Sequence, residues 1–503
     1  MRTLFFVLCF LTIVACENSH SQTNPKPAAP ATQGISGEKL HRQLYDKYEL
    51  YRESTIKGRR FKHSDIMPLV QKLKAPFRTE KAGQSMEGRD IYKVQIGNGP
   101  VQVLLWSQMH GDEASATMAL MDIFNFMTRD DQFNALRERL KKELTITFIP
   151  LLNPDGAERF KRRNAIDIDL NRDAARLQTP EAKLLKRVRD ELKADWGFNL
   201  HDQNRYYSAG AGKTATFSFL APAYNYAKDV NAIRGNAMHL IGVMNNILQE
   251  YIPGQVGRYS DSFEPRAFGD NIQKWGTSTV LIESGGLAED EDKQEIRRLH
   301  FALLLSALDA IATQSYKSVG MDVYESIPFN GSGNFFDLLV REVEIDFKGA
   351  LYTVDIGFRN DEISYNGNRD FYYRSQIADI GDLSIFHAYQ TVDARGMQAF
   401  PGKTYAATLK SASELARLDP IQLLKDGYTE IFVSDLGSKA RFARLPFRLI
   451  QAGKGKENNN VRMSGNPSLY IQKDGETKFI VVNGAAYDLD RDREKILKLV
   501  NKL

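Results

Sequence analysis

The chain has 503 residues, a length that predicts more than one domain. Its formal net charge is +4, with acidic and basic residues interspersed, so the sequence indicates no nucleic-acid-binding surface. It contains two cysteines, Cys9 and Cys16. Two cysteines exclude a cysteine-based metal site, and no thiol pair is left for a disulfide if Cys9 is removed with a signal peptide.

The first 15 residues have the pattern of a signal peptide. A basic start is followed by an apolar run over residues 4–14, which is too short to span a bilayer. The run ends in Ile-Val-Ala-Cys, which resembles a bacterial lipobox and predicts cleavage before Cys16 and a lipid on its sulfur. We therefore expect a protein of the bacterial cell envelope, lipid-anchored to a membrane and facing the periplasm or the cell surface. The alternatives are an ordinary secretory signal with a chance cysteine, or a weak membrane segment.

Residues 16–38 are rich in Ser, Pro, Ala, Thr and Gln and predict a flexible tether. Strands and helices then alternate up to about residue 316. Predicted strands cover residues 101–106, 144–152 and 279–282, and predicted helices cover residues 116–127, 224–251 and 295–313 and begin at Thr179-Pro180. This alternation predicts an α/β domain with a mixed sheet and helices on both faces.

Reactive side chains stand where the predicted strands end. His110 and Glu113 directly follow the first strand, His201 ends a short strand that begins at residue 196, and Glu283 ends a fourth. In open α/β sheets, sites form beyond the carboxyl ends of the strands. Two histidines and one carboxylate are a set that holds catalytic zinc and leaves one coordination position open.

Five motifs in order carry a more specific resemblance. They are His-Gly-Asp-Glu at 110–113, Asn-Pro-Asp-Gly at 153–156, Asp-Leu-Asn-Arg-Asp at 169–173, Leu-His-Asp-Gln at 200–203 and Ile-Glu-Ser-Gly-Gly at 282–286. Together they resemble the zinc metallocarboxypeptidase family. The residues in these motifs are more similar to those of bacterial members such as murein-peptide amidase A than to those of the digestive enzymes. The resemblance covers roughly residues 63–314. It implies an α/β/α sandwich around a mixed, mainly parallel eight-stranded sheet.

The resemblance also implies roles for individual residues. His110, Glu113 and His201 correspond to the ligands of one Zn²⁺ per chain, and Glu283 corresponds to the general base that takes a proton from the metal-activated water. Arg162 corresponds to the arginine that stabilises the oxyanion, with Arg163 as the one-residue-shifted alternative. Asn171 and Arg172 correspond to the pair that holds the substrate's terminal carboxylate, and Tyr259 corresponds to the mobile tyrosine. A second arginine of the digestive enzymes is replaced by Gly111-Asp112.

After about residue 317 the pattern of apolar and polar residues changes. Apolar residues at 352, 354, 356 and 358 alternate with Thr353, Asp355 and Gly357, the period of a half-buried strand. We predict a catalytic domain over residues 39–316 and a β-rich accessory domain over residues 317–503, ending in a helix over residues 490–503. The accessory domain could bind substrate, contact a partner or support the enzyme.

These patterns predict a lipid-anchored zinc metallocarboxypeptidase that hydrolyses a C-terminal peptide bond. The alternatives are an amidase or endopeptidase that acts on cell-wall peptides, and a catalytically inactive binding module. The expected partners are a peptide or cell-wall peptide substrate and the membrane that holds the lipid anchor, with no nucleic acid.

Overall fold

A computed structural model describes residues 39–210, 212–437, 440, 443–455 and 457–503. The predicted signal peptide, the lipidation site Cys16 and the tether lie outside the described residues. From Leu40 to Leu503 the chain forms one compact unit. The boundary that the sequence predicts between residues 316 and 317 therefore stays a prediction.

Helices occur along the whole described part of the chain. They are α1 (Leu40–Asp46), α2 (His63–Gln71), α3 (Ser115–Met127), α4 (Asn134–Glu143), α5 (Pro154–Arg159), α6 (Pro180–Leu192), α7 (Ala232–Leu248), α8 (Phe268–Lys274), α9 (Gln294–Ala312), α10 (Met321–Glu325), α11 (Pro420–Lys425) and α12 (Arg493–Val500).

The strands fall into two groups along the chain. The first group is β1 (Arg78–Gln84), β2 (Asp90–Gly97), β3 (Val101–Ser107), β4 (Leu144–Ile149), β5 (Trp196–Asp202), β6 (Phe217–Leu220), β7 (Val256–Arg258) and β8 (Ser278–Ser284). The second group is β9 (Phe335–Phe347), β10 (Ala350–Tyr365), β11 (Asp370–Gly381), β12 (His387–Asp393), β13 (Gln398–Pro401), β14 (Lys403–Thr404), β15 (Leu409–Ser411), β16 (Tyr428–Asp435), β17 (Arg448–Gln451), β18 (Leu469–Lys473), β19 (Glu476–Val482) and β20 (Ala485–Asp488).

The first group forms one eight-stranded sheet in the order β1-β2-β4-β3-β5-β8-β6-β7. Its centre, β4-β3-β5-β8, is parallel, while β1, β2 and β6 pair antiparallel with their inner neighbours. The prediction of a mixed, mainly parallel eight-stranded sheet is confirmed.

Apolar side chains of β3 show how the layers are built. Val103 and Leu105 belong to the hydrophobic cluster formed with α3, α7 and α9, whereas Leu104 and Trp106 belong to the cluster formed with α6 and α8. Because successive side chains of a strand point to opposite faces, helices cover the sheet on both sides. The region is therefore an α/β/α sandwich, and the core that carries the site is buried from both directions.

Two predicted elements have different bounds in the structure. The strand expected over residues 144–152 ends at Ile149, and the following Asn-Pro-Asp-Gly opens α5, with the Asn153 side chain accepting a hydrogen bond from the Gly156 nitrogen at 2.9 Å. The helix expected over residues 224–251 is shorter, Ala232–Leu248, because Asn231 caps it by accepting from the Arg234 nitrogen. In both cases the apolar pattern of the sequence extends beyond the element itself, so the predicted element is too long.

The region after residue 317 is β-rich, as predicted. One eight-stranded sheet has the order β11-β10-β9-β13-β18-β19-β20, with β12 paired to β9, and we call it the accessory sheet. A small sheet of β14 to β17 adjoins it. The predicted helical tail is α12, which buries Ile496 and Val500 in the second hydrophobic cluster. Among the helices that the structure describes, none is long and apolar enough to cross a membrane.

Candidate active site

His110, Glu113 and His201 meet at the carboxyl ends of two neighbouring parallel strands. His110 and Glu113 lie in the segment between β3 and α3, and His201 lies near the end of β5. The two Nδ1 atoms are 3.2 Å apart, and each lies 2.7 Å from one oxygen of the Glu113 carboxylate. All three residues are buried. The potential ligand atoms lie within 4.8 Å of one another.

This donor set fits one Zn²⁺. Zinc bound tetrahedrally at about 2.0–2.1 Å by imidazole holds two ligand nitrogens roughly 3.3 Å apart, close to the 3.2 Å between His110 and His201. Both imidazoles turn the same ring nitrogen to one point, and a buried carboxylate faces them. Two neutral nitrogens and one anion are what a divalent cation of borderline softness prefers.

Asp169 orients His110 from the side away from the other ligands. Its Oδ1 lies 3.0 Å from Nε2 of His110 and also accepts a hydrogen bond from the Asn171 nitrogen at 2.9 Å. Burial alone would lower the pKa of His110, but Glu113 and Asp169 outweigh it and raise this pKa to about 9. Asp169 thus fixes the ring so that Nδ1 faces the metal position. The sequence did not indicate this role for Asp169, although Asp169 opens the Asp-Leu-Asn-Arg motif.

Arg162, and not Arg163, reaches the ligand cluster. Its Nη1 donates to Glu113 Oε1 at 3.0 Å, and its Nε donates to Asp169 Oδ2 at 3.2 Å. Arg163 instead donates to the Asp167 carbonyl at 2.8 Å. The Arg162 side chain is 45% exposed, so its guanidinium borders both the buried ligands and solvent.

Glu283 stands on β8 directly opposite His201 of β5 in the parallel register. It is half-buried and is not one of the three converging ligands. Burial, followed by the nearby Glu113 carboxylate, raises the pKa of Glu283 well above its usual value. A carboxyl group with this environment is suited to hold and release a proton.

Asn171 and Arg172 lie beside the cluster, on the short turn that follows Asp169. The Asn171 Oδ1 accepts from the Phe268 nitrogen at 2.9 Å, so part of this side chain anchors the start of α8. The Arg172 side chain is 39% exposed, and its Nε lies 3.6 Å from Glu264 Oε2. Its guanidinium is therefore accessible to a carboxylate ligand that competes with Glu264.

Tyr259 follows β7 and packs near Tyr207, with the ring centroids 5.8 Å apart. Burial, and next the charge of Glu283, raises the pKa of its hydroxyl far above the usual value. The Tyr259 nitrogen donates to the Phe219 carbonyl at 3.0 Å, and Phe219 lies opposite Ile282, the residue before Glu283, so this tyrosine lies near the site. Its mobility over the site stays a prediction.

Comparisons with known proteins show similarity over part of the chain. Residues 66–216 match the family model described as "Zinc carboxypeptidase". The curated protein "Carboxypeptidase SOL1" of Arabidopsis thaliana is 25% identical over 173 residues, which are 28% of this chain and 35% of that protein. The chain thus spans about a third of the length of this curated relative. The family match contains His110, Glu113 and His201, so this part of the chain is similar to a zinc carboxypeptidase domain, and its buried ligand cluster fits Zn²⁺.

Two solved structures overlap with about half of the chain. A metallo-carboxypeptidase from Burkholderia cenocepacia has a TM-score of 0.41 and 16% identity, with 50% of this chain and 69% of that chain covered. A metallo-carboxypeptidase from Pseudomonas aeruginosa has a TM-score of 0.38 and 16% identity, with 50% and 68% covered.

Proposed function

We propose that the protein hydrolyses the C-terminal peptide bond of a peptide, with Zn²⁺ held by His110, Glu113 and His201 and with Glu283 as general base. The observation that carries this proposal is the convergence of three buried ligands beside a separate carboxyl group with a raised pKa. Zn²⁺, when bound, polarises the scissile carbonyl and lowers the pKa of water.

The chain's own residues perform the proton transfers and the charge stabilisation. Glu283 takes a proton from the attacking water and returns it to the leaving amine, which is the work of a base and acid with a pKa near the working pH. Arg162 lies 3.0 Å from the ligand Glu113 and is positioned to stabilise the negative oxygen that develops on the carbonyl. Asp169 keeps His110 in the tautomer that can bind the metal.

Recognition of a terminal carboxylate is assigned to Arg172, assisted by the amide of Asn171. A guanidinium binds a carboxylate through two parallel hydrogen bonds, and such a charged contact is worth roughly 1.5–3 kcal/mol. Losing Arg172 should therefore lower kcat/KM by about tenfold to a hundredfold, mainly through KM.

The test compares wild type and Arg172→Ala, each with a free-acid peptide and with its C-terminal amide. Amidation should impair the wild type and have little further effect on the variant, because the partner is already gone. Wild-type cleavage of amidated or internal bonds as fast as free-acid ends would instead favour an amidase or endopeptidase of cell-wall peptides. No hydrolysis by zinc-loaded protein would favour the inactive binding module.

We also propose that Cys16 carries a lipid that anchors the protein in the bacterial cell envelope. Support comes from the apolar run over residues 4–14 that ends in Ile-Val-Ala-Cys. Cys16→Ser should abolish incorporation of labelled lipid and release the chain from the membrane fraction. Unchanged labelling and fractionation would refute the anchor.

A further inference from the structure

A cleft with a volume of about 460 Å³ lies between the metal ligands and the accessory sheet. Glu113 and Arg162 line its metal end, and Asn360, Asp361 and Tyr373 of β10 and β11 line the opposite wall. Small-molecule sites commonly have about 300–1,000 Å³. The cleft is therefore large enough for part of a short substrate whose scissile bond lies at the metal.

The accessory wall is fixed to the segment that follows His201. Asp337 of β9, with its side chain 4% exposed, forms an ion pair with Arg205 at 3.0 Å and accepts a hydrogen bond from the Tyr206 hydroxyl. The same hydroxyl accepts from the Asn360 nitrogen at 3.0 Å. Arg205 lies only four positions after the metal ligand His201. The wall and the metal site therefore hold each other in place.

A second set of contacts fixes the other side of the wall. Glu362 of β10 forms ion pairs with Arg59 and Arg60. The Arg60 guanidinium lies over the rings of Phe160 and Phe371, at 4.2 and 4.7 Å from their centroids. Phe160 is two residues before Arg162, so this contact joins the accessory sheet to the loop that carries the oxyanion arginine.

Carboxylates outnumber cations along the cleft, and two of the buried carboxylate oxygens have no partner among the residues that the structure describes. Apart from Glu113 and Arg162 at the metal end, six carboxylates and three cations line it. Each of these cations is already ion-paired, Arg59 with Glu362, Arg205 with Asp337 and Lys293 with Asp202.

Two carboxylate oxygens in the cleft are buried and have no hydrogen-bond partner among the described residues. The Asp202 side chain is 8% exposed, and its Oδ2 pairs with Lys293 at 3.1 Å, whereas its Oδ1 has no partner in the described part of the chain. Asp112 Oδ1 is likewise buried and has no partner within those residues. Because a buried acceptor without a partner is unfavourable, both oxygens favour a ligand that donates hydrogen bonds.

We propose that this cleft is the subsite for the amino-terminal side of a short peptide substrate, and that it selects an ammonium group there. Asp361 of the accessory sheet and Asp112 beside the metal ligands are the lining carboxylates that we assign to this group. The ammonium group comes either from the α-amino group of the peptide or from a basic side chain next to the scissile bond. This inference rests on the proposed peptidase function and names its substrate class.

Direct binding tests the inference without requiring turnover. Zinc-loaded Glu283→Gln protein is titrated calorimetrically with Ala-Lys-Ala, its N-acetyl form, and the two matching peptides with norleucine in place of lysine. Removal of the recognised ammonium group should weaken Kd by about tenfold, the effect of one charged hydrogen bond of roughly 1.5 kcal/mol. Weaker binding of the N-acetyl peptide would show that the α-amino group is recognised. Weaker binding of the norleucine peptide would show that the lysine side chain is recognised.

Isosteric variants locate the effect. In Asp361→Asn and Asp112→Asn, each added to Glu283→Gln, the preference for the ammonium peptide should shrink about threefold, with zinc content unchanged. The matched control is Asp346→Asn, an exposed carboxylate at the turn of the same hairpin but outside the cleft. It should keep the full preference.

The outcomes separate this inference from the proposed function. Equal affinity for all four peptides, no binding of any of them, or equal preference in all variants would overturn the ammonium subsite. The peptidase proposal is judged independently, by whether zinc-loaded wild-type protein hydrolyses free-acid peptides.

Discussion

Glu283, the proposed general base, lies opposite His201 but is not one of the three metal ligands, so its substitution can test catalysis without removing the metal. We expect Glu283→Gln to keep about one zinc per chain and to lose about 10²–10⁴-fold in kcat, since an amide cannot accept the proton. Metal analysis and steady-state kinetics on the same preparation measure both quantities. Near-normal hydrolysis by the variant would place the base elsewhere.

Asp169 should affect the metal indirectly. Asp169→Asn preserves the shape of the side chain but weakens its hold on the His110 ring, so we expect zinc affinity to fall by about 10–100-fold. His110→Ala, which removes a ligand, should lose most of the metal. Competition with a chromophoric chelator measures both, and His63→Ala, whose ring contacts the Asp90 carbonyl, is a control. Equal losses for Asp169→Asn and His63→Ala would contradict the orienting role.

The site residues differed in how far the sequence could predict them. The sequence predicted that His110, Glu113, His201 and Glu283 lie close together because each ends or follows a strand, and parallel strands bring their carboxyl ends together. Asp169 was not found, because a contact 59 positions along the chain from His110 has no periodic signature. The choice between Arg162 and Arg163 depended on a loop conformation that spacing alone does not fix.

At the scale of elements, Gly111 lets the ligand segment lie against α5. A Cβ at this position would come within 2.0 Å of the Gly156 carbonyl carbon and 2.2 Å of the Ala157 nitrogen. Gly111→Ala should therefore displace His110 and Glu113, lower zinc affinity and destabilise the fold by about 1–3 kcal/mol.

Gly235 in α7 is the matched control for this substitution. A Cβ there meets Met321 Sδ at 3.6 Å, an ordinary contact, so Gly235→Ala should be neutral or stabilise the fold by about 0.5–1 kcal/mol. Zinc titration and thermal unfolding of both variants provide the comparison. Unchanged zinc affinity in Gly111→Ala would show that the segment adapts.

The contact between β8 and α9 predicts a pH-dependent stability. His300 of α9 is buried, its Nε2 lies 2.5 Å from Ser284 Oγ, and its Nδ1 has no hydrogen-bond partner in the described part of the chain. Burial, and then the charge of Lys293, lowers the pKa of His300 to about 3. In an unfolded chain this pKa is about 6.5. As pH falls below 6.5, the unfolded state gains a proton that the folded state refuses, so stability is lost.

The expected size of this effect can be measured by chemical denaturation. Between pH 7 and pH 5, wild type should lose about 2 kcal/mol more of its unfolding free energy than His300→Gln, which cannot be protonated. Equal losses in the two proteins would mean that His300 is already accessible to protons in the folded state.

Element types were easier to predict than their ends. The strands at β3, β5 and β8 and the helix that begins after Thr179 agree with their patterns, because both faces of the sheet are buried and Thr179 caps the helix. The helix expected from residue 224 begins at Ala232, since the cap at Asn231 decides the start more than apolar spacing does.

At the scale of the whole molecule, Asp337 joins the accessory sheet to the catalytic region. Asp337→Ala leaves the Arg205 guanidinium without its ion-pair partner in a largely buried position, and we expect a loss of about 3 kcal/mol in unfolding free energy. Kinetic parameters should change as well, because Arg205 follows His201 closely. Asp346→Ala, exposed on the same strand, should change stability by no more than about 0.5 kcal/mol.

Thermal and chemical unfolding of these two variants tests the connection. Equal stability of Asp337→Ala and Asp346→Ala would mean that the two regions do not depend on each other. The sequence predicted the β-rich texture of the accessory region but not this contact. Arg205 and Asp337 are more than 130 positions apart, and neither belongs to a motif.

The metal ligands precede the accessory sheet along the chain, so they are also synthesised first. During synthesis, all three metal ligands emerge by residue 201 and Glu283 soon after, but the far wall of the cleft emerges only with residues 360–373. Once residue 283 has been made, the nascent chain therefore contains every residue proposed for metal binding and proton transfer, but it still lacks Asp337 and the sheet that hold the segment after His201 in place. The selectivity that we propose for the cleft therefore requires a chain whose accessory sheet has been translated.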